Sequence, residues 1–347
     1  MSVDDADRGS SHAVDSGGSI AASPSNERER KRATFGFWHE AALMLLLLGL
    51  LAVAGVLMPS FLRWDSQLLL SRQLWELAIL SLGMTLVIIS GGIDLSVGAA
   101  MGLCAVMFGW VHARTGNVLL ASAVCLTTGV ACGTLNGFLV ARARVHPLMV
   151  TLATFAAFRG IAEGFSQGAA YSRFGESFSL IARGNLCGVP YAGMLTAAIA
   201  VLFAVLLRAT PWGRYLYALG HNERAASFAG IPVSRMKVQL YLLSGFLSGL
   251  ATLIYVSRFD TAKADAGRGF ELEVITAVVV GGTSIFGGRG NIAGTVLGLL
   301  LIHETRLFVS RYWRTDELRS VVIGFLLIVA VLVYQVLARR RSLSARR

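Results

Sequence analysis

Long apolar runs separated by short polar breaks set the pattern of this chain. Residues 41–58 carry no charge over 18 positions, residues 188–207 none over 20, residues 238–256 none over 19, and residues 321–338 none over 18 with a single Gln. Such runs approach the roughly 20 apolar residues that a helix needs to cross a bilayer. A spanning segment must satisfy its own backbone polar groups, so each run predicts a helix. Over the whole chain the pattern predicts an all-α, polytopic membrane helix bundle of about ten crossings, at 40–58, 74–90, 93–111, 118–141, 147–165, 189–207, 238–257, 272–288, 291–309 and 320–338. Eight or nine crossings result if the glycine-rich segments are re-entrant.

Charge gives the orientation. Arg28, Arg30, Lys31 and Arg32 precede the first run, and Arg339, Arg340, Arg341, Arg346 and Arg347 follow the last. Basic residues favour the cytoplasmic side. An even number of crossings places both basic ends, and hence both termini, in the cytoplasm. In that register 18 of the 31 basic residues fall inside and 11 outside, with Arg159 and Arg306 within spans. The domain reading is a disordered cytoplasmic tail at 1–37, a membrane domain at 38–338 and a basic cytoplasmic tail at 339–347. The tail at 1–37 is too long and polar for the n-region of a signal peptide.

Composition supports the membrane class. Hydrophobic residues make up 55% of the 347 and charged residues only 15%, against about a quarter charged in a soluble chain. The net charge of +11 does not imply nucleic acid, because the basic residues sit at segment ends. Cys104, Cys125, Cys132 and Cys187 show no CxxC spacing, and the three in apolar runs are read as packing residues. Glycine is abundant, with 38 residues, about half again the usual share of roughly 7%. Many lie four apart: Gly98/Gly102, Gly129/Gly133/Gly137, Gly160/Gly164, Gly245/Gly249 and Gly294/Gly298. Small residues at that spacing let helix backbones approach closely. Two segments, VIISGGIDLSVG (87–98) and VVVGGTSIFGGRG (278–290), place an apolar run before Gly-Gly and a polar residue. They read as broken helices and as a weak internal similarity.

No catalytic constellation emerges. The chain has no GxxxxGK[ST], HExxH, GxSxG or EF-hand loop, and its six histidines are scattered. No metal site or nucleotide cofactor is expected in it. Asp94 is the clearest intramembrane acid; it reads either as the N-cap of a restarted helix or as part of a permeation path. Arg159 and Glu163, four apart, are expected to pair. Glu271 and Glu273 are expected at the outer surface, and His303-Glu304 at a polar contact near a helix end. A relay of buried acids is missing, so energy is expected from outside the chain. Ser90, Asn136, Thr151 and Thr154 are the polar groups expected, with Asp94, to line a path for a neutral polar solute.

The long hydrophilic break of the second half is RATPWGRYLYALGHNERAASFAGIPVSRMK (208–237), with five Arg/Lys and one Glu. Thr210-Pro211 starts a break and Pro232 ends one. Between them Asn222 can cap a helix of about two turns, and Gly230 can stop it. One structured basic loop on one face of a membrane protein is a docking surface.

At this loop the chain resembles a known family. Residues 213–245, with segments 90–98, 136–164 and 277–298 in the same order, are similar to bacterial ABC importer permeases for ribose, xylose, galactosides and related sugars. The four matches cover most of residues 74–300. The resemblance implies a bacterial cytoplasmic membrane protein that works with a cytosolic ABC ATPase, a second permease copy or paralogue and a periplasmic solute-binding protein, ATP and magnesium being held by the ATPase. It places Asn222, Glu223, Ala225, Ala226, Gly230 and Ile231 on the helix that couples ATPase to bundle. His221 stands where the family often has Gly, and Phe228-Ala229 replaces smaller or polar residues. Residues 303–320 differ from ribose members and are closer to permeases for rhamnose or autoinducer-2. The competing expectation is a self-sufficient secondary carrier or channel; a membrane-embedded enzyme lacks its reactive groups.

Overall fold

The structure is a computed structural model that describes residues 24–186, 188–313, 321 and 325. Residues 1–38 form one unit and residues 39–347 another. Among the described residues thirteen helices follow in chain order: α1 Pro24–Leu57, α2 Trp64–Ser71, α3 Trp75–Ile89, α4 Val97–Thr115, α5 Val118–Ala141, α6 Pro147–Ser166, α7 Glu176–Arg183, α8 Tyr191–Ala209, α9 Pro211–His221, α10 Glu223–Phe228, α11 Val233–Phe259, α12 Phe270–Val280 and α13 Ile292–Trp313. Among the described residues strands are limited to two-residue pieces: Tyr171–Ser172 pairs antiparallel with Thr261–Ala262, and Asn185–Leu186 with Val189–Pro190.

The all-α membrane bundle is as expected, and of the ten expected crossings the one at 272–288 is not found as a full span. Among the described residues seven helices are long and apolar enough to cross a membrane, and the bent pair α2–α3, at 57°, makes an eighth. The crossing expected at 272–288 is α12, 11 residues long, which rises about 16 Å and falls short of a hydrocarbon core of about 30 Å. Gly281-Gly282 ends it, and α13 runs back beside it. The tenth expected span, the basic tail at 339–347 and Cys187 lie outside the described residues. Helix α1 begins at Pro24, inside the tail read as disordered; the segment ERERKRA (27–33) is built of strong helix formers.

Helix α3 is the axis of the bundle. Every residue from Glu76 to Ile89 is buried, against α8, α11, α12 and α13. Around it, small-residue faces close the gaps. Gly129 and Gly133 of α5 meet Gly245 and Gly249 of α11 backbone to backbone, and Gly137 packs against Val238 and Tyr241: a Cβ at Gly129 or Gly133 would strike the carbonyl of Gly245 or Tyr241 respectively. Gly294 and Gly298 of α13 lie against Gly281 and Ala277 in the same way. The Gly160/Gly164 pair is the exception, with nothing within 4 Å of either added Cβ. Cys104, Cys125 and Cys132 are buried, free thiols.

Candidate functional site

The polar elbow at 208–237 is more structured than its sequence suggests. The Thr210 hydroxyl accepts the Gly213 N–H at 3.3 Å, and Pro211 takes the first helical position, where a missing N–H has no consequence. Thr210-Pro211, read as a break, is thus the start of α9. Asn222 caps the next helix as expected, its Oδ1 accepting the Ala225 N–H at 3.0 Å. Gly230, at φ 80°, ends it, and the Ile231 N–H closes onto the Ala226 carbonyl at 3.1 Å, a left-handed helix stop. Glu223 is exposed and pairs with Lys237 at 2.7 Å; Ala225 is exposed, Ala226 is buried, and Ile231 is half-buried.

Helix α9 rests on two backbone corners. At the end of α3 the N–H groups of Gly91 and Gly92 donate to Ile88 and Val87 at 2.9 and 3.1 Å, with Gly91 at φ 83°. At the end of α12 the N–H groups of Gly282 and Thr283 donate to Val279 and Val278 at 2.9 and 3.2 Å, with Gly282 at φ 89°. The two segments singled out as similar therefore end in the same stop, bond for bond. The corners are joined by the Gly288 N–H, which donates to the Ile89 carbonyl at 2.8 Å. Gly220 of α9 lies over that junction, where an added Cβ would strike the Ile89 carbonyl and come 2.5 Å from the Gly288 nitrogen. One turn earlier the Tyr217 hydroxyl donates to the Gly290 carbonyl at 2.8 Å. Burial raises the Tyr217 phenol above its ordinary value, against a smaller pull down from Arg208, so it stays a neutral donor. The start of α1's apolar run reaches the second corner as well: Asn291 donates to Glu40 at 2.7 Å, and His39 Nε2 lies 3.1 Å from the Val280 carbonyl.

The residues expected along a path gather on the loop between α3 and α4. Asp94 Oδ1 accepts the Ser96 N–H at 3.0 Å and the Ser96 hydroxyl at 2.6 Å, and Oδ2 accepts the Ser244 hydroxyl of α11 at 2.8 Å. Asp94 thus precedes the capping position, which Ser96 occupies, and knots the loop to α11. Asn136 of α5 donates to the Ser96 hydroxyl at 2.8 Å, and Thr151 of α6 donates to the Ile93 carbonyl at 3.1 Å. Ser90 and Thr154 turn back on their own helices, to the Val87 and Val150 carbonyls. All but the half-buried Ser90 are buried. The structure brings Asp94, Asn136 and Thr151 to one loop; Ser244 and Ser96 complete the knot and were not foreseen, since a serine inside an apolar helix carries no sequence signal of its own.

The far end of α3 is charged instead. Glu76 and Arg258 pair at 2.9 Å, and Glu273 and Arg306 at 2.9 Å, with Arg306 also donating to Gln73 at 3.0 Å. Three expectations are corrected here. Arg159 does not pair with Glu163; its guanidinium donates to the carbonyls of Ala264, Ala266 and Gly98, while Glu163 pairs with Arg268 at 3.1 Å. Backbone carbonyls brought in by the fold displace the neighbour four residues along. Glu273 is buried in an ion pair rather than displayed, and Glu271 is half-buried. His303 and Glu304 are buried within α13, not at its end.

A family model described as "Branched-chain amino acid transport system / permease component" matches residues 68–331. The ribose import permease protein RbsC of Bacillus subtilis (strain 168) is 37% identical over 310 residues, covering 88% of this chain and 96% of the relative. RbsC of Escherichia coli (strain K12) is 33% identical over 308 residues, covering 88% and 96%. The autoinducer 2 import system permease protein LsrD of Klebsiella pneumoniae subsp. pneumoniae is 34% identical over 299 residues, covering 84% and 90%. No solved structure matches the chain.

Proposed function

Because the chain belongs to the family of branched-chain amino acid transport system permease components, matched over residues 68–331, we propose that it is the membrane subunit of a binding-protein-dependent importer, driven by a separate cytosolic ATPase that holds ATP and magnesium. It sits in the bacterial cytoplasmic membrane as a multi-pass protein and transforms no substrate. A second permease, a copy or a paralogue, completes the pathway, and a periplasmic solute-binding protein delivers the cargo. The cargo is a monosaccharide or a similar small polyhydroxylated solute. Relatives named for ribose, at 37% and 33%, and for autoinducer 2, at 34%, support that class.

One observation carries the mechanism: α9 touches both glycine corners at once, through Gly220 and Tyr217. The ATPase grips α10 at residues 222–231. Force on α10 passes through the Asn222 hinge into α9, and from α9 into the α3–α4 and α12–α13 turns together. The Gly220 contact is made through backbone atoms and leaves no side chain to yield, so displacement there is transmitted rather than absorbed. Alternating access is then a choice between two packings of the same helices. The loop knotted by Asp94 moves with its corner. Asn136 and Thr151, which bond to that loop, become wall as it shifts, together with Ser90 and Thr154, offering hydroxyl and amide groups to a neutral solute. The convergence of Asp94, Asn136 and Thr151 on one loop supports this placement.

The test is reconstitution in vesicles with ATPase and binding protein. Replacing Glu223 with Arg and Ala226 with Trp is expected to abolish uptake and the stimulation of ATP hydrolysis while insertion is retained. Accumulation against a gradient by this chain alone would overturn the reading and favour a self-sufficient carrier.

A further inference from the structure

Basic loops orient a membrane protein wherever on the cytoplasmic face they lie; that rule does not gather them into one place. Here Arg142 and Arg144, from the turn between α5 and α6, and Arg224 and Arg235, from α10 and the start of α11, line a single open groove of about 1090 Å³. All four are exposed. The carboxylate in the lining, Glu223, is taken by Lys237 at 2.7 Å. Among the described residues no ion pair satisfies any of the four arginines.

The walls are stiff and joined. The N–H groups of Arg142 and Ala143 both donate to the Phe138 carbonyl, at 2.8 and 3.3 Å, and the Val145 N–H donates to Leu139 at 3.3 Å. Arg144 holds φ 56°, a left-handed value uncommon outside glycine and retained where the surroundings dictate it. The Ser234 hydroxyl donates to the Ala141 carbonyl at 3.4 Å and ties one wall to the other. Asn222, Glu223 and Ser227 belong to the same lining, so the groove is continuous with α10. Beside it Phe228 is 93% exposed.

We propose that this groove is a second docking surface for the ATPase subunit, distinct from the grip on α10, and that the ATPase face that meets it is acidic. The inference rests on the importer reading above. A partner that holds α10 lies within reach of the groove, and four preplaced guanidinium groups without counter-ions favour carboxylates. The α5–α6 turn thereby senses the ATPase directly, next to the helix that carries Thr151 and Thr154.

The experiment measures ATPase affinity for the full-length permease in nanodiscs of neutral lipid, and again with anionic lipid, over a series of salt concentrations. Arg142→Gln with Arg144→Gln is expected to weaken association on the order of tenfold at low salt and to flatten the salt dependence, in both kinds of disc. Arg142→Lys with Arg144→Lys is expected to keep most of the salt dependence, which guards against a folding defect. Unchanged affinity and salt slope in the Gln variant overturn the inference. So does an effect confined to anionic discs, which assigns the groove to lipid headgroups. Ala226→Trp separates the two levels. If it blocks association while the Gln variant binds normally, the second surface falls and the importer reading stands; if neither variant affects association, both fall.

Discussion

At the end that carries α9, the bundle is held chiefly by backbone meeting backbone, Gly220 over the Ile89 carbonyl and Gly288 bonded to Ile89, with the Tyr217 hydroxyl bonded to Gly290 beside them. At the other end it is held by buried charge, Glu76 with Arg258 and Glu273 with Arg306. The two ends of α3 thus solve one packing problem by different means. Glycine contacts are short-ranged and steep, so they pass on displacement faithfully and tolerate almost no added volume. Ion pairs in an apolar interior hold hard while both partners are present and become a liability when one is removed. An importer that is pushed from one side has reason to keep the pushed end mechanical and the opposite end latched.

That contrast can be broken from either side. Glu273→Ala removes a buried ion-pair partner of Arg306 and is expected to cost about 3–5 kcal/mol, read as a fall in the thermal midpoint of the detergent-solubilised protein. Replacing both partners, Glu273→Leu with Arg306→Met, is expected to recover most of that loss, which a purely steric account does not predict. At the mechanical end, Gly220→Ala is expected to cost on the order of 2 kcal/mol through overpacking, and to reduce uptake by more than it reduces ATP hydrolysis. Equal losses in the two assays would deny the corner its transmitting role. Asn222→Ala removes the cap of α10 and is expected to cost about 1 kcal/mol, with Asn222→Asp near wild type, as judged by the strength of ATPase association. Gly160→Ala sets the lower bound: with nothing within 4 Å, it is expected to raise the midpoint slightly, by up to about 1 kcal/mol of helix propensity, while Gly133→Ala at the same spacing class lowers it.

Local features were legible in the residues because their causes are local. The Asn222 cap, the Gly230 stop and the matching Gly-Gly corners depend on neighbours within five or six positions. The Gly129/Gly133/Gly137 face announced a close partner but not its identity; Gly245 and Gly249 of α11 lie more than a hundred residues on. Charges were the hardest to place. Four-residue spacing proposed Glu163 for Arg159, whereas the fold delivers the carbonyls of Ala264 and Ala266. Glu273 looked like surface because Arg306 is 33 residues away. The crossing expected at 272–288 failed for a related reason: hydropathy measures how apolar a run is, and α12 is apolar because neighbouring helices enclose it. Being enclosed does not require 20 residues.

The pairing of Glu76 with Arg258 spans 182 positions of sequence. On a ribosome adding about 5–20 residues per second, the carboxyl waits roughly ten to forty seconds for its counter-ion to be made. During synthesis α3 is therefore made well before the residue that closes its ion pair. The central helix of the mature bundle is among the last to be locked in place.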